Sequence, residues 1–455
     1  MHSPVPDRAA AQTLGAFLRD LDYEGDVVTD LIGDDVGERE EVVVAERRLS
    51  ESPLETVIRL LYLELPVAAS KVESGAADAM VTLGLATKEG KRLVPQSRVI
   101  PVDDTLLASD GFTRDADDPP DYVATYTPTA RTCDLLTPRP RVRAALDVGT
   151  GSGIHALLAA KHAKHVVAID VNDRALAYTA MNAAMNGLDN VECRNGSFFA
   201  PVEGETFGLI TCNAPFVVSP EQRWAYRDSG FRGDDVTEHV VREAASHLAP
   251  GGYATLLGSW LIVDEDGPED RPAEWVKGTG CDAWILTSIE SDALDHAASW
   301  NGSFFADAHT YAEALERWTK YIGELGARGV GEGAILLHRR KGKTSLRVDE
   351  IDEDTLEHSD AQIRRAFANR GKGNGLLDAR LKRAMALRIE HEMGRKSADV
   401  VLDGGTCSIL PTTPAAAAIV ERLDGKKTLR KLGADKKTVA LCRQLVGLGA
   451  LKIVD

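Results

Sequence analysis

Apolar and polar positions along the chain fall into three blocks, and the middle one, about 121 to 340, is the most regular. Short runs rich in Val, Ile, Leu and Ala predict strands at Ala144–Val148, Val166–Asp170, Val191–Arg194, Phe207–Cys212, Tyr253–Gly258, Trp284–Ile289 and Ala334–His338. Between them, apolar residues recur every three to four positions, which predicts helices such as Asp173–Asn186 and Val236–Leu248. Strands bounded by turns and alternating with helices predict an α/β fold with a parallel, doubly wound sheet.

The first block, 1 to 105, carries helical spacing near Ala10–Leu21 and Glu51–Leu63. A short helix and a longer one ending at Leu83-Gly84 follow. Two strands then flank Glu89-Gly90. Helix, helix and β-wing predict a winged-helix-like domain. Ser109–Pro120 reads as a linker. The third block, 345 to 455, opens on an acidic stretch, Asp349–Glu357, and continues with a basic segment, Ala361–Lys396, expected to be helical. Its tail reads helix, short helix, helix, strand. Met80–Ala86 and Leu445–Leu451 both end a helix on Leu-Gly before a strand. Either they belong to two copies of a winged-helix-like module or two unrelated helices share a glycine cap.

Composition adds two constraints. Apolar residues make up 44% and charged residues 27%, which excludes whole-chain disorder. The net charge of -17 argues against a uniformly basic nucleic-acid binder, yet residues 361–455 hold 19 Lys plus Arg against 9 Asp plus Glu. That block is at +10 and the rest at -27, so a nucleic-acid or acidic-partner surface stays open for the C-terminal block, against internal pairing with the acidic body. Six scattered cysteines form no Cys-x-x-Cys pair and no zinc spacing, so no metal is expected and buried free thiols in a cytoplasmic protein are. No apolar run reaches the roughly 20 residues that cross a bilayer, so no membrane association is expected.

The candidate chemistry begins at Asp147-Val148-Gly149-Thr150-Gly151-Ser152-Gly153, which follows the first central strand and opens a helix. Its glycines allow a tight turn and close approach to a ligand. The next strand ends on Asp170, placed to accept hydrogen bonds from both hydroxyls of a ribose, with Val171 behind it. A dinucleotide and S-adenosylmethionine both fit such a loop. The leading acid, Asp147, can orient the loop or meet an ammonium group and is adverse for a pyrophosphate, which favours S-adenosylmethionine. After the third strand, Asn195-Gly196-Ser197-Phe198 offers an amide for an adenine amino group and a ring to stack on it, or an ordinary turn with core aromatics.

The fourth strand runs into Asn213-Ala214-Pro215-Phe216. Ligands of open α/β sheets bind beyond the carboxyl ends of the strands, so Asn213 shares a crevice with the glycine loop. The Asn213 side-chain carbonyl and the Ala214 backbone carbonyl can hold the two hydrogens of a planar NH2. Pro215 stiffens the turn and Phe216 offers a flat face. Such an arrangement suits methyl transfer to nitrogen, where in-line positioning supplies much of the catalysis. The bland alternative is a simple Asn-x-Pro turn. His155, the six tryptophans and Ala415–Ala418 read as structural.

The run from Leu146 to Pro220 resembles the class I S-adenosylmethionine-dependent methyltransferases, most closely the HemK-type glutamine N-methyltransferases and related ribosomal-RNA and adenine amino-methyltransferases. Those carry Asn-Pro-Pro-Tyr or Asn-Pro-Pro-Phe after the fourth strand; here Ala214 replaces the first proline. The resemblance implies a seven-stranded sheet with an antiparallel last strand. It implies cofactor contacts at Asp147, Gly149, Gly151, Asp170 and Asn195; Thr150, Gly153, Val171, Gly196 and Ser197 beside them are expected to line the same cofactor site. Substrate contacts fall at Asn213, Ala214, Pro215 and Phe216. Tyr126–Thr132 loosely resembles the family's segment over the cofactor. Tyr226–Gly230 is similar to a segment of long methyltransferases whose substrate is unknown, with Asp228 expected to pair with Arg227 or Arg232 rather than to move protons.

The expected function is therefore S-adenosylmethionine-dependent N-methylation of a planar amide or amino nitrogen. A protein glutamine comes first, a base amino group in rRNA, tRNA or DNA second, and a small-molecule amine third. The competing non-enzyme reading is a cofactor-stabilised scaffold between two winged-helix-like units.

Overall fold

The computed structural model describes residues 3–33, 39–111, 119–221, 227–228, 230–263, 267, 269–302, 307–373, 375–391 and 397–454. Trp224, Tyr226, Ser229, Arg395 and Lys396, singled out above by name or within a segment, lie outside them, as does 112–118 of the expected linker.

The central block is a sheet of β1 (Val142–Val148), β2 (Ala163–Asp170), β3 (Val191–Asn195), β4 (Phe207–Cys212), β5 (Leu248–Val263), β6 (Cys281–Asp292), β7 (Ala327–Arg339) and β8 (Leu346–Glu350). Their order across the sheet is β8-β6-β7-β5-β4-β1-β2-β3. β1 to β5 run parallel to one another, whereas β7 runs antiparallel to both β5 and β6. The residues of β1, β2 and β4 next to the site are almost wholly buried, which is why they read as continuous apolar runs.

Among the described residues the sheet has eight strands, not the expected seven. β8 adds in parallel to β6. Buried Asp282 accepts from the backbone N–H and hydroxyl of Ser345 at 2.7 Å each, and Trp284 Nε1 donates to Asp349 Oδ2 at 2.7 Å. These bonds hold the start of the acidic stretch in the sheet.

The N-terminal block folds as helices Arg8–Asp20, Gly25–Ile32, Arg39–Arg48 and Pro53–Val57, the last continuing as a wide turn to Tyr62. Helix Ser74–Thr82 and a small antiparallel sheet, Val67–Ala68, Arg92–Pro95 and Ala86–Glu89, complete it. Its core is continuous with Tyr178, Met181 and Met185 of the central helix Asp173–Met185. A hairpin, Arg98–Val102 and Thr105–Ser109, lies along the same helix. There the Asn182 side chain bonds both N–H and C=O of Ala108, and Asn186 does the same at Leu106. Two amides four residues apart thus cap a strand edge that water or another strand would otherwise take.

The segment 361–396 is not one helix. It is a helix over Asp360–Ala368, then strands Arg380–Arg383 and Ala386–Glu390. Gly371, Gly373 and Gly375 intervene, and Gly371 and Gly375 take left-handed φ of 78° and 76°. Helix propensity is lowest at glycine among residues other than proline, so the chain leaves the helix there. Strand Arg380–Arg383 is the middle strand of a sheet with Asp424–Thr428 and Leu451–Val454. Helices Pro414–Glu421 and Lys436–Gly447 pack beneath it. Phe367 carries the block onto the central sheet, tilted against His338 at 5.4 Å and Tyr253 at 6.0 Å between ring centres.

The two Leu-Gly helix ends share one cap. Gly84 and Gly449 have φ of 76° and 74°. Leu85 N–H donates to Met80 C=O, and Ala450 N–H to Leu445 C=O, both at 2.9 Å.

Candidate active site

The glycine loop leaves β1 at the carboxyl edge of the sheet, and Gly149, Gly151 and Gly153 have φ of 68°, 54° and 94°. Each is a left-handed conformation in which a side chain is strained. Asp147 is 1% exposed and spends its carboxylate on the protein. Its Oδ2 accepts from Thr150 Oγ1 at 2.7 Å and from Ala156 N–H at 3.1 Å; its Oδ1 accepts from Thr211 Oγ1 at 2.8 Å. Asp147 therefore orients the loop. Burial raises its pKa, and the neighbouring His155 and these donors pull it back. His155 is itself buried, in keeping with a structural role.

Asp170 ends β2 beside the loop. Its Oδ2 accepts from Gly151 N–H and its Oδ1 from Asn172 N–H, both at 2.9 Å. Burial raises its pKa against those two bonds. A carboxylate has about four acceptor sites, so each oxygen retains capacity for a hydroxyl. Val171 next to it is 56% exposed, an apolar surface at the mouth of the crevice. A Cβ built on Gly151 would meet nothing within 4 Å, so the loop faces open space there.

Asn195 and Gly196 adjoin this edge: Gly196 N–H donates to Asp170 C=O at 3.0 Å, and Asn195 Nδ2 donates to Asp173 Oδ1 at 2.7 Å. Both bonds leave the Asn195 side-chain oxygen with acceptor capacity. Ser197 is exposed. Phe198, at φ 47°, packs edge-on to Phe231 at 5.6 Å and His239 at 5.4 Å between ring centres.

The tetrad after β4 touches the glycine loop. A Cβ on Gly149 would stand 2.8 Å from Ala214 Cβ and 3.1 Å from Ala214 Cα. Gly149 and Ala214 are therefore in backbone-to-side-chain contact, and Asn213, half-buried, lies beside the loop. Cys212 just before it accepts a backbone bond from Ala214, and burial pushes its thiol up to about 12. Phe216 differs from expectation. It is 9% exposed and packs in a core with Leu257 and Trp284, while its C=O accepts from Ser259 Oγ. Only a sliver of the ring is open to a substrate.

Three residues that sequence reading missed complete the arrangement. Thr211 anchors Asp147. Thr179 Oγ1 donates to Gly151 C=O at 3.1 Å. Asn172 joins Asp170 to the incoming chain by donating from Nδ2 to Asp121 C=O at 2.9 Å. Thr211 adjoins the tetrad in sequence; the reach of Thr179 across from another helix has no local signal. Arg227 and Asp228 form a buried ion pair at 3.0 Å, as expected. Thr127, from the segment read as covering the cofactor, caps helix Pro128–Leu136. Among the described residues, no group of His, Cys, Asp and Glu is placed to hold a metal ion.

Two parts of the chain match models of known families. Residues 133–260 match the family model of the methyltransferase small domain. Residues 20–96 match a second model, described as a domain of unknown function (DUF7059). The ribosomal protein uL3 glutamine methyltransferase of Bradyrhizobium diazoefficiens is 37% identical over 150 residues, covering 30% of this chain and 47% of that protein. The release factor glutamine methyltransferase of Deinococcus radiodurans is 38% identical, over 26% of this chain and 45% of that protein. The chain thus spans about half the length of these curated relatives. The ribosomal RNA small subunit methyltransferase C of Alcanivorax borkumensis is 28% identical, over 27% of this chain and 33% of that protein. Among solved structures, the ribosomal protein L11 methylase of Lactobacillus delbrueckii subsp. bulgaricus overlays with a TM-score of 0.27 at 18% identity, covering 47% of this chain and 77% of that one. The resemblance to the HemK-type methyltransferases read from the motifs is borne out by the family model and the curated relatives.

Proposed function

We propose that the chain is an S-adenosylmethionine-dependent N-methyltransferase whose acceptor is a glutamine side chain of a protein in translation. The observation that supports this reading is the contact between Gly149 and Ala214, which brings the Asn213–Phe216 turn against the glycine loop. The relatives named above as glutamine methyltransferases support the acceptor class.

When bound, the cofactor supplies an electrophilic methyl group on a sulfonium. Asp170 would hold its ribose and Val171 the apolar face of its base. The open side of Gly151 admits it without a steric barrier. Asp147 contributes by fixing the loop rather than by touching a ligand. Asn213 Oδ1 and the Ala214 C=O accept the two amide hydrogens of the acceptor and turn its nitrogen toward the loop. These accepting bonds strengthen as positive charge grows on that nitrogen, so they favour the transition state over the ground state. The proton shed after transfer rests against Asn213 Oδ1 until solvent takes it. Ala214 keeps the carbonyl that a proline would supply there, and Pro215 fixes the backbone that follows.

We further propose that both terminal blocks are winged-helix-like and that the protein works in the cytoplasm. The four buried free thiols, Cys133, Cys212, Cys281 and Cys442, support a reducing compartment. Among the described residues no helix is long and apolar enough to cross a membrane.

A second reading, methylation of a base amino group in RNA, draws on the rRNA methyltransferase match and on the basic C-terminal block. Methyl-labelled cofactor, incubated with the protein and with separated protein, RNA and metabolite fractions, tests the two. Label recovered as methylglutamine from the protein fraction supports the first reading; label only in RNA overturns it.

A further inference from the structure

The charge of the basic C-terminal block is not spread evenly. Several cations that look available in the sequence are used internally. Arg364 pairs with Asp360 at 2.6 Å, and Arg365 donates to Gly449 C=O at 2.8 Å. Arg370 lies over the Phe367 ring at 5.4 Å, with burial lowering its pKa to about 10. Arg388 pairs with Glu390.

The three-stranded sheet around Arg380–Arg383 gathers further cations in register. In its ladder Arg380 stands opposite Thr428 and Val454, and Lys382 opposite Lys452 and Asp424. Residues in register share a face, so Arg380, Lys382 and Lys452 lie together on one side. Leu381 and Leu451, both 0% exposed, face the core on the other. Arg380, Lys382 and Lys452 are all exposed. Asp424 is the one acid in this register, and Lys426 pairs with it at 3.7 Å. Among the described residues Lys382 and Lys452 take part in no ion pair. Lys427 on strand Asp424–Thr428 and Lys431 on the turn after it are exposed and, among the described residues, likewise take part in no ion pair.

The direct Lys382–Lys452 pairing is unfavourable by itself, because like charges face each other across a ladder. It sits in a chain whose other blocks are strongly acidic. A cationic face kept on a rigid sheet, in a protein of net charge -17, is complementary to a regularly spaced polyanion. We propose that this outer sheet face binds the phosphodiester backbone of a nucleic acid. Its recognition is by charge and spacing, without base readout. The proposal stands apart from the identity of the methyl acceptor, since none of these residues belongs to the crevice.

The test uses the full chain and fluorescently labelled RNA and DNA strands of one short, unstructured sequence. Anisotropy is followed as salt rises. Three to four phosphates neutralised on a single strand give a log–log slope of about -2 to -3, or about 20- to 50-fold weaker binding from 50 to 200 mM salt. The Lys382→Gln/Lys452→Gln variant neutralises two fewer phosphates and is expected to flatten that slope by about 1.4. Lys452→Glu is expected to weaken binding while raising the thermal midpoint, because it turns its like-charge pair with Lys382 into an attractive one. A purely structural role would not separate those two readouts. Equal binding of both strands assigns the face to phosphodiesters in general, and tighter binding of RNA assigns it to RNA. No binding at low salt, an unchanged slope in the double variant, or capture of polyglutamate but not of either strand overturns the proposal. Calorimetry with S-adenosylmethionine on the same variants, expected unchanged, reports separately on the methyltransferase reading.

Discussion

The contact between Gly149 and Ala214 lends itself to a quantitative test. Gly149→Ala places a side chain at φ 68°, which costs about 1–2 kcal/mol for a residue with a Cβ. The new Cβ would stand 2.8 Å from Ala214 Cβ and 3.1 Å from Ala214 Cα. Relieving that overlap costs about 1–3 kcal/mol more, the range for overpacked sites. The single variant should therefore lose about 2–5 kcal/mol. Ala214→Gly alone is mildly destabilising, because glycine gains backbone freedom in the unfolded chain. In the double variant the 2.8 Å overlap with the Ala214 Cβ vanishes, while the backbone cost and the 3.1 Å approach to the Cα, which a shift of a few tenths of an ångström relieves, remain. The double-mutant cycle should then show a favourable coupling of about 1–3 kcal/mol. The assay is guanidinium unfolding followed by tryptophan fluorescence, since Trp260, Trp284 and Trp318 are fully buried in or against the central sheet. Methyl-transfer rate, measured in parallel, should recover in the same direction. A coupling within about 0.5 kcal/mol of zero would refute the claim that loop and tetrad form one site.

Other outcomes follow from the same geometry. Asn213→Ala removes one acceptor from the clamp and should lower kcat by about 100-fold or more while leaving cofactor affinity within about twofold of its starting value, read by steady-state kinetics and calorimetry. Asp147→Ala strands the Thr150 hydroxyl and the Ala156 N–H and leaves the Thr211 hydroxyl only the Leu146 C=O at 3.4 Å; at about 1–3 kcal/mol per orphaned donor it should lower stability by at least about 2 kcal/mol in denaturant unfolding. Asp170 has a raised pKa and accepts hydroxyls best when ionised. Cofactor affinity should therefore be full at high pH and fall as pH drops through a midpoint above the ordinary carboxylate value of about 3.9, in calorimetry across pH. The same raised value means that ionising Asp170 costs folding stability as pH rises from the unfolded to the folded pKa, a slope that Asp170→Asn should remove.

Much of the frame is legible in the sequence because local signals and tertiary structure agree. β1, β2 and β4 are apolar runs ending on chemistry-bearing residues, and the turns between them carry glycine or asparagine. β5, β6 and β7 are longer than their apolar centres, and the reason is specific. The stretch Arg328–Gly333 has the glycine density of a loop. Yet a Cβ on Gly331 would lie 2.4 Å from Trp260 Nε1, and one on Gly333 2.0 Å from Leu286 C=O. Those glycines make room for an indole and a neighbouring strand, information that only the partner strands hold. The basic segment misled because charge and helix formers outweighed three spaced glycines. Within the site, Asp147, the glycines, Asp170 and the tetrad are readable as contiguous motifs. The contacts that join them, Thr211 to Asp147 and Gly149 to Ala214, depend on how strands β1 and β4 lie side by side. Phe216 was read as a substrate face because aromatic identity alone does not reveal that it is buried in the core cluster that also holds Leu257 and Trp284.

Calorimetric titration of the intact protein with S-adenosylmethionine, alongside Asp170→Ala, tests the central claim most directly. Two hydroxyl bonds to a carboxylate are worth about 1.5–3 kcal/mol each, so the account predicts one site per chain and an affinity reduced by about 100-fold or more in the variant. Absence of binding to the intact protein, or equal affinity in the two proteins, would contradict it.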